Sequence, residues 1–266
     1  MRLVTFNVHH GVGDDGRHDL VRVARLLDDA DADVICLQEV DRHFGRRSEG
    51  MDQALLLAEA LDRELVWSPS IDEPPTGDRT ERRQYGNAVL SRLPVSGTQV
   101  HRLPGGGEPR SAVHVGVETA DGPVQLVVTH LSSGSAADRA AQAAAIAQLA
   151  AGPGPWVLAG DLNADADAPE LAALAGRFAD AWQLAAARSD QAGRFSLRGG
   201  RGLTHPARRP RVRIDQVWVS PGVTVRDARV LDGTASSDHH PLLVDLDLDL
   251  GRDLAATPVP APGDAG

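Results

Sequence analysis

Polar motifs, most of them at the end of an apolar run, follow one another along this chain. They are Asn7 in LVTFNVHHG, Glu39 in VICLQEVD, His130 in VQLVVTHLSS, Asp161 and Asn163 in VLAGDLNA, Asp215 in RIDQVWVS, and Asp238 with His239 in SSDHHPLLVDL. A short apolar run that stops at a carboxylate, amide or imidazole reads as a buried strand delivering a polar side chain to a sheet edge. These residue types suit a hard divalent cation and the hydrolysis of a phosphate ester.

The stretches between the motifs carry their own patterns. Leu3, Thr5, Asn7 and His9 alternate with Val4, Phe6 and Val8, the period of a strand. Leu20, Val23, Ala24 and Leu27 recur at helical spacing behind Asp19, a candidate N-cap. Further helices are expected from about Met51 to Leu61, over the alanine-rich Ala136 to Ala151, and briefly in DAPELAALAGR with Asp167 as its cap. LVWSP, GNAVLSRLPV, VHVGVET, VQLVVTH, WVLAGDLN, RIDQVWVS, a segment from about Val223 to Val230, and PLLVDLDLDL read as strands. Polar loops are expected at 69–84 and at 188–211. The domain is expected to span residues 1–250, with a disordered Ala/Pro/Gly-rich tail over 251–266.

At 266 residues the chain suits one large domain with a sizeable core. Its 27 basic residues are all arginine, which excludes a lysine nucleophile. The formal net charge of −10 disfavours sequence-independent attraction to nucleic acid, although a local arginine patch can override it. The single cysteine, Cys36, lies in an apolar run and reads as a buried, inert thiol, so no internal disulfide forms. No signal peptide or membrane-spanning run is visible, and a cytoplasmic monomer is the expectation.

Glu39 ends an apolar run, where a carboxylate is costly unless a divalent metal or an ion pair, such as one with Arg42, compensates it. Asn7 can ligate a metal through oxygen, orient a phosphate oxygen, or cap the turn before Gly11. His9 shares its strand face and can contact a substrate phosphate, whereas His10 reads as a loop histidine. Asp161 and Asn163 share a face if their strand continues, with Asp161 placed to orient or deprotonate a water and Asn163 to hold it; an Asx-turn is the alternative. Alternation turns His240 away from Asp238. Asn87 and Arg110 are weaker candidates for phosphate contact. Arg208, Arg209, Arg211 and Arg213 precede Asp215 and, with Arg79, Arg82 and Arg83, could recognise phosphate as two-pronged guanidinium groups.

The set and order of these motifs, from about Leu3 to Leu246, resemble the endonuclease/exonuclease/phosphatase superfamily, which includes deoxyribonucleases, apurinic endonucleases, inositol polyphosphate 5-phosphatases and bacterial sphingomyelinases. The resemblance implies an α/β fold: a four-layer sandwich of two mixed β-sheets face to face with helices outside. It implies Mg2+ or Mn2+, one or two ions, with Glu39 as the main ligand and Asn7 and Asp238 as further metal ligands, Asp238 directly or through water. It also implies an Asp215–His239 pair, with His239 as general base or transition-state stabiliser, and His130 as a donor to phosphate or leaving group. The apurinic-endonuclease pattern carries an Asp at the position of His9, which puts a second metal site there in doubt.

The sequence thus predicts a phosphodiesterase on a small-molecule or lipid head-group substrate, by in-line attack of an activated water. A nuclease on the same site is the alternative, and a non-catalytic binding protein on this fold is the rival of another class.

Overall fold

The computed structural model describes residues 1–191 and 201–248. Its strands and helices are β1 (Arg2–Asn7), α1 (Leu20–Asp29), β2 (Val34–Arg42), α2 (Gln53–Ala60), β3 (Glu64–Glu73), β4 (Arg83–Ser91), β5 (Val95–Arg102), β6 (Ser111–Thr119), β7 (Gly122–His130), α3 (Ala136–Leu149), β8 (Trp156–Asp161), α4 (Ala172–Ala175), β9 (Ala179–Asp180), α5 (Ala181–Gln191), β10 (Asp215–Val219), β11 (Val223–Val230) and β12 (Leu242–Leu248). The strands form two mixed six-stranded sheets, in the orders β11-β12-β1-β2-β4-β3 and β5-β6-β7-β8-β10-β9. Each sheet holds one parallel pair, β1–β2 and β7–β8, joined through a helical crossover, α1 and α3. Parallel neighbours need such a crossover, and it deposits a helix on one sheet face.

Strand alternation sorts the side chains into layers. Leu3 and Cys36 point between the sheets, where they meet Val113, Leu126, Val157 and Val217. Phe6, Ile35 and Leu37 point outward and pack with Val23 and Leu27 of α1 and with Leu57 of α2. On the other side Val127 and Leu158 pack with Ile146 of α3 and Leu174 of α4. The result is the four-layer sandwich with helices outside. Cys36 is fully buried, and burial pushes its thiol up. Asp19 caps α1 by accepting from the Arg22 amide at 3.2 Å.

Several boundaries differ from expectation. β3 and β4 run on to Glu73 and back from Arg83, so the polar loop is only 74–82. Cross-strand pairing carries polar residues that have no apolar alternation of their own. β5 is an edge strand whose residues are mostly exposed, and this removes its strand signal. Asp167 does not cap a helix; a 3-10 turn at Pro169–Leu171 leads into α4 from Ala168, with no side-chain cap. The long loop expected from 188 begins inside α5, whose Ala181 and Ala185 fill the edge of the inter-sheet core. The middle of that loop, 192–200, and the tail lie outside the described residues. Among the described residues no helix is long and apolar enough to cross a membrane.

Candidate active site

The register of the second sheet places three motif residues side by side. His130 at the end of β7 pairs with Asp161 at the end of β8, and Asp161 pairs with Asp215 at the start of β10. Asn7 ends β1 in the facing sheet and closes the gap between the sheets. Its Oδ1 accepts the His9 amide at 3.0 Å, so its amino group donates to Asp161 Oδ2 at 3.0 Å and to Glu39 Oε1 at 3.1 Å. In this arrangement Asn7 presents its nitrogen, not the oxygen expected of a metal ligand, and holds two carboxylates at a fixed spacing. Ser237 fastens the last motif to the same strand end: its hydroxyl donates to the Asn7 carbonyl at 2.7 Å and accepts the His239 amide at 3.0 Å.

His239 Nδ1 lies 2.8 Å from Asp215 Oδ2, which fixes the proton on that nitrogen. Nε2 is left facing Asp161 Oδ2 at 3.8 Å and Asp238 Oδ1 at 4.0 Å. Burial opposes the imidazolium, but the carboxylates of Asp215, Asp161 and Asp238 together raise the group to about 10. Asp161 is also buried, and burial, with Asp215 close by, lifts its carboxyl to about 6. Asp238 is held down to about 2, since the imidazoles of His205, His239 and His9 outweigh its partial burial.

Glu39 reaches this cluster by a device that alternation does not contain. Val34 and Cys36 face inward and Ile35 and Leu37 outward, so an unbroken strand would turn Glu39 outward with Leu37. The β2–β4 register slips between Leu37 and Val40, and Glu39 takes φ 57°. This bulge turns the carboxylate to the site. Arg42, its alternative partner, pairs with Asp52 instead. Asn163 is turned in a comparable way. β8 stops at Asp161, Asn163 takes φ 51°, and Asp161 Oδ1 accepts the Asn163 amide at 2.9 Å. The Asx-type turn and the delivery of Asn163 to the site are therefore one feature, since Asn163 Nδ2 sits 3.0 Å from His130 Nε2.

His130 has the buried Arg110 behind it. Arg110 Nη1 lies 3.0 Å from His130 Nδ1, and Nε2 stands between Asn163 Nδ2 at 3.0 Å and Asp161 Oδ2 at 3.5 Å. Burial, and then the guanidinium, hold this imidazole well below its ordinary value, and it is neutral.

Three further residues stand near the site. His10 shares a cluster with His9 and Glu39. His205 packs against His239 with tilted rings, centroids 4.5 Å apart, and lies 3.8 Å from Asp238. Arg110, a weaker candidate for phosphate contact, instead stands behind His130. The doubled histidine before Gly11 and the His–Pro step at 205–206 were the available signals. The arginine run is partly corrected. Arg213 is buried, and its guanidinium grips Asp180 with contacts of 3.1 and 2.5 Å, so it is a structural residue and not a substrate contact. Arg208 pairs with Asp14. Arg82 and Arg83 pair with Asp72 and Glu73. Arg209 and Arg211 are exposed on the 201–214 loop. His240 is turned away, its Nδ1 accepting the Gly233 amide at 2.9 Å.

The donor set fits a divalent cation. One ligand atom from each of His9, His10 and Glu39 lies within 4.8 Å of the others, and the same holds for His205, Asp238 and His239. Asp215 Oδ1 is buried with no hydrogen-bond partner among the described residues.

Comparison with known proteins agrees with this fold. The family model described as "Endonuclease/Exonuclease/phosphatase family" matches residues 4–239. A search of curated proteins gives no match. The endonuclease/exonuclease/phosphatase from Beutenbergia cavernae is 28% identical with a TM-score of 0.72, over 93% of this chain and 71% of that one. A mannosyl-6-phosphatase from Bacteroides thetaiotaomicron (19% identity, TM-score 0.69, 93% and 100% covered) shares the fold. So does the human Nocturnin catalytic domain (20% identity, TM-score 0.68, 93% and 94% covered). The chain belongs to the endonuclease/exonuclease/phosphatase family of phosphate-ester hydrolases, enzymes that generally depend on a divalent metal.

Proposed function

We propose that this chain hydrolyses phosphodiesters of small molecules or lipid head groups, using Mg2+ or Mn2+ as one or two ions. The observation that carries the reading is the buried array in which Asn7 spaces Asp161 from Glu39 while Asp215 fixes His239. A cation held by Glu39 and Asp238 would neutralise the phosphate and stabilise the leaving oxygen when bound. Asp161, lifted to about 6, is an effective acceptor for the proton of an attacking water near neutral pH. His239, raised to about 10, is already protonated and is suited to hydrogen-bond a phosphoryl oxygen as charge develops, rather than to act as the base. His130 contacts a phosphoryl or leaving-group oxygen, and Asn163 steadies the water or a phosphoryl oxygen.

The net charge of −10 favours a small or head-group substrate over a nucleic acid. Arg209 and Arg211, exposed beside the strand that carries Asp215, are guanidinium groups available to meet the substrate. The test compares hydrolysis of bis-p-nitrophenyl phosphate, p-nitrophenyl phosphate, phospholipid and plasmid DNA, each with and without EDTA. The reading expects the diester or phospholipid to be cleaved fastest, with loss of cleavage in EDTA. Faster cleavage of the monoester would move the chain to sugar-phosphatase chemistry, as in its Bacteroides neighbour. Faster cleavage of plasmid would make it a nuclease, and EDTA-insensitive cleavage would remove the metal.

A further inference from the structure

His9, His10 and Glu39 share an unusual backbone. Their φ angles are 44°, 43° and 57°, so three potential ligands all occupy the left-handed region that non-glycine residues rarely take. Such conformations persist where the surrounding structure holds them, and they gather at ligand clamps. Here the clamp is visible. Gln53 Nε2 donates to the His10 carbonyl at 2.7 Å, Asn7 Oδ1 receives the His9 amide, and the Gly11 amide donates to Val8 at 2.8 Å. The two rings meet edge to face at 4.5 Å. His9 Nδ1 lies 3.2 Å from the Val12 carbonyl, an outer contact that puts its proton on Nδ1 and leaves Nε2 free to ligate. His10 Nδ1 is buried with no hydrogen-bond partner. Their ligand atoms and a Glu39 oxygen fall within 4.8 Å of one another. Bonds of about 2.1 Å to one ion span up to about 4.2 Å, so a small closure would bring all three onto it.

We infer that His9 and His10 join Glu39 in a mixed imidazole–carboxylate metal site, so that Mn2+, Co2+ and Zn2+ bind ahead of Mg2+. The inference deepens the hydrolase reading and rests on it for the presence of a working ion. The physical reason is ligand type: neutral imidazole suits transition ions, whereas Mg2+ prefers an oxygen shell and retains water.

The experiment uses the whole protein and reads metal binding directly. Calorimetric titration with Mn2+ and Mg2+ is paired with the visible absorption of bound Co2+. His10→Gly removes the ring and suits the left-handed backbone, so the fold should survive; His9→Asn is a second arm that also tolerates that backbone. Each should weaken Mn2+ and Co2+ binding by at least about tenfold, change the Co2+ spectrum, and leave Mg2+ affinity within a few fold. Added imidazole should restore the Co2+ spectrum of His10→Gly. Wild-type Co2+ spectra and Mn2+ affinity in both variants would overturn the site. Equal losses of Mg2+ and Mn2+ affinity would also overturn it, since the histidines would then only shape the loop. Failure of the hydrolase reading is distinct: wild type would bind Mn2+ through these residues yet cleave no phosphate ester.

Discussion

The buried carboxylates of the site stand on neighbouring strand ends, whereas its outer histidines and arginines stand on loops that bend through left-handed or irregular backbone. On the inner side His130, Asp161 and Asp215 are in register across β7, β8 and β10, and each has its partner: Arg110, Asn7 and His239. On the outer side Arg209 and Arg211 are exposed, and His9 and His205 face Asp238 at 3.5 and 3.8 Å. The contrast teaches a division of labour. The inner groups are locked into shared protonation states and should act as a unit. The outer groups are separately placed and should act one at a time, on metal and substrate binding.

The largest expected effect is at the inner side. Asp161→Asn keeps the hydrogen-bonded shape but removes the proton acceptor, and kcat/KM on an activated phosphodiester should fall by ~10²–10⁴-fold. The sign of the pH dependence follows from the same groups. Asp161 must be ionised, so wild-type kcat/KM should rise with pH through about 6; His239 must stay charged, so the rate should decline through about 10. Asp161→Asn should lose the acidic limb. A pH profile identical to wild type would take Asp161 out of the base role.

Arg213 separates stability from chemistry within the arginine run. Its pair with Asp180 is buried, and removing one partner strands the other charge. Arg213→Ala should destabilise by about 3–5 kcal/mol and lower Tm by roughly 10 °C, with kcat of the folded protein nearly unchanged. A wild-type melting curve would contradict the structural assignment. The smallest effect belongs to the outer loop. Arg209→Ala and Arg211→Ala should raise KM a few fold with kcat unchanged, and the rise should shrink at high salt. A fall in kcat equal to the rise in KM would move these arginines to the inner unit.

The inner side was legible in the sequence because burial and alternation generate it. An apolar run ending in Asp161 or His130 leaves one geometry open, and strand pairing then aligns the ends. Glu39 was legible by type but not by path, since a bulge in β2 reverses its facing. His205 is not legible because a loop turn leaves no periodic trace, and His10 is legible as a potential ligand but not in its place beside Glu39. Arg213 was misread because charge spacing alone cannot distinguish an arginine that faces water from one that faces a buried Asp180, 33 residues away in the chain. β5 escaped because an exposed edge strand needs no apolar face, and α5 because an alanine-rich segment running toward an Arg/Gly-rich stretch reads as a loop.

The claim that the inner groups work as one unit is tested most directly by a double-mutant cycle on Asp215 and His239. The measurement is kcat/KM for bis-p-nitrophenyl phosphate at saturating metal, in wild type, Asp215→Asn, His239→Ala and the double variant. If Asp215 acts through its 2.8 Å hydrogen bond to His239, the double variant should be little worse than His239→Ala. Losses that multiply would show two independent residues and would contradict the account.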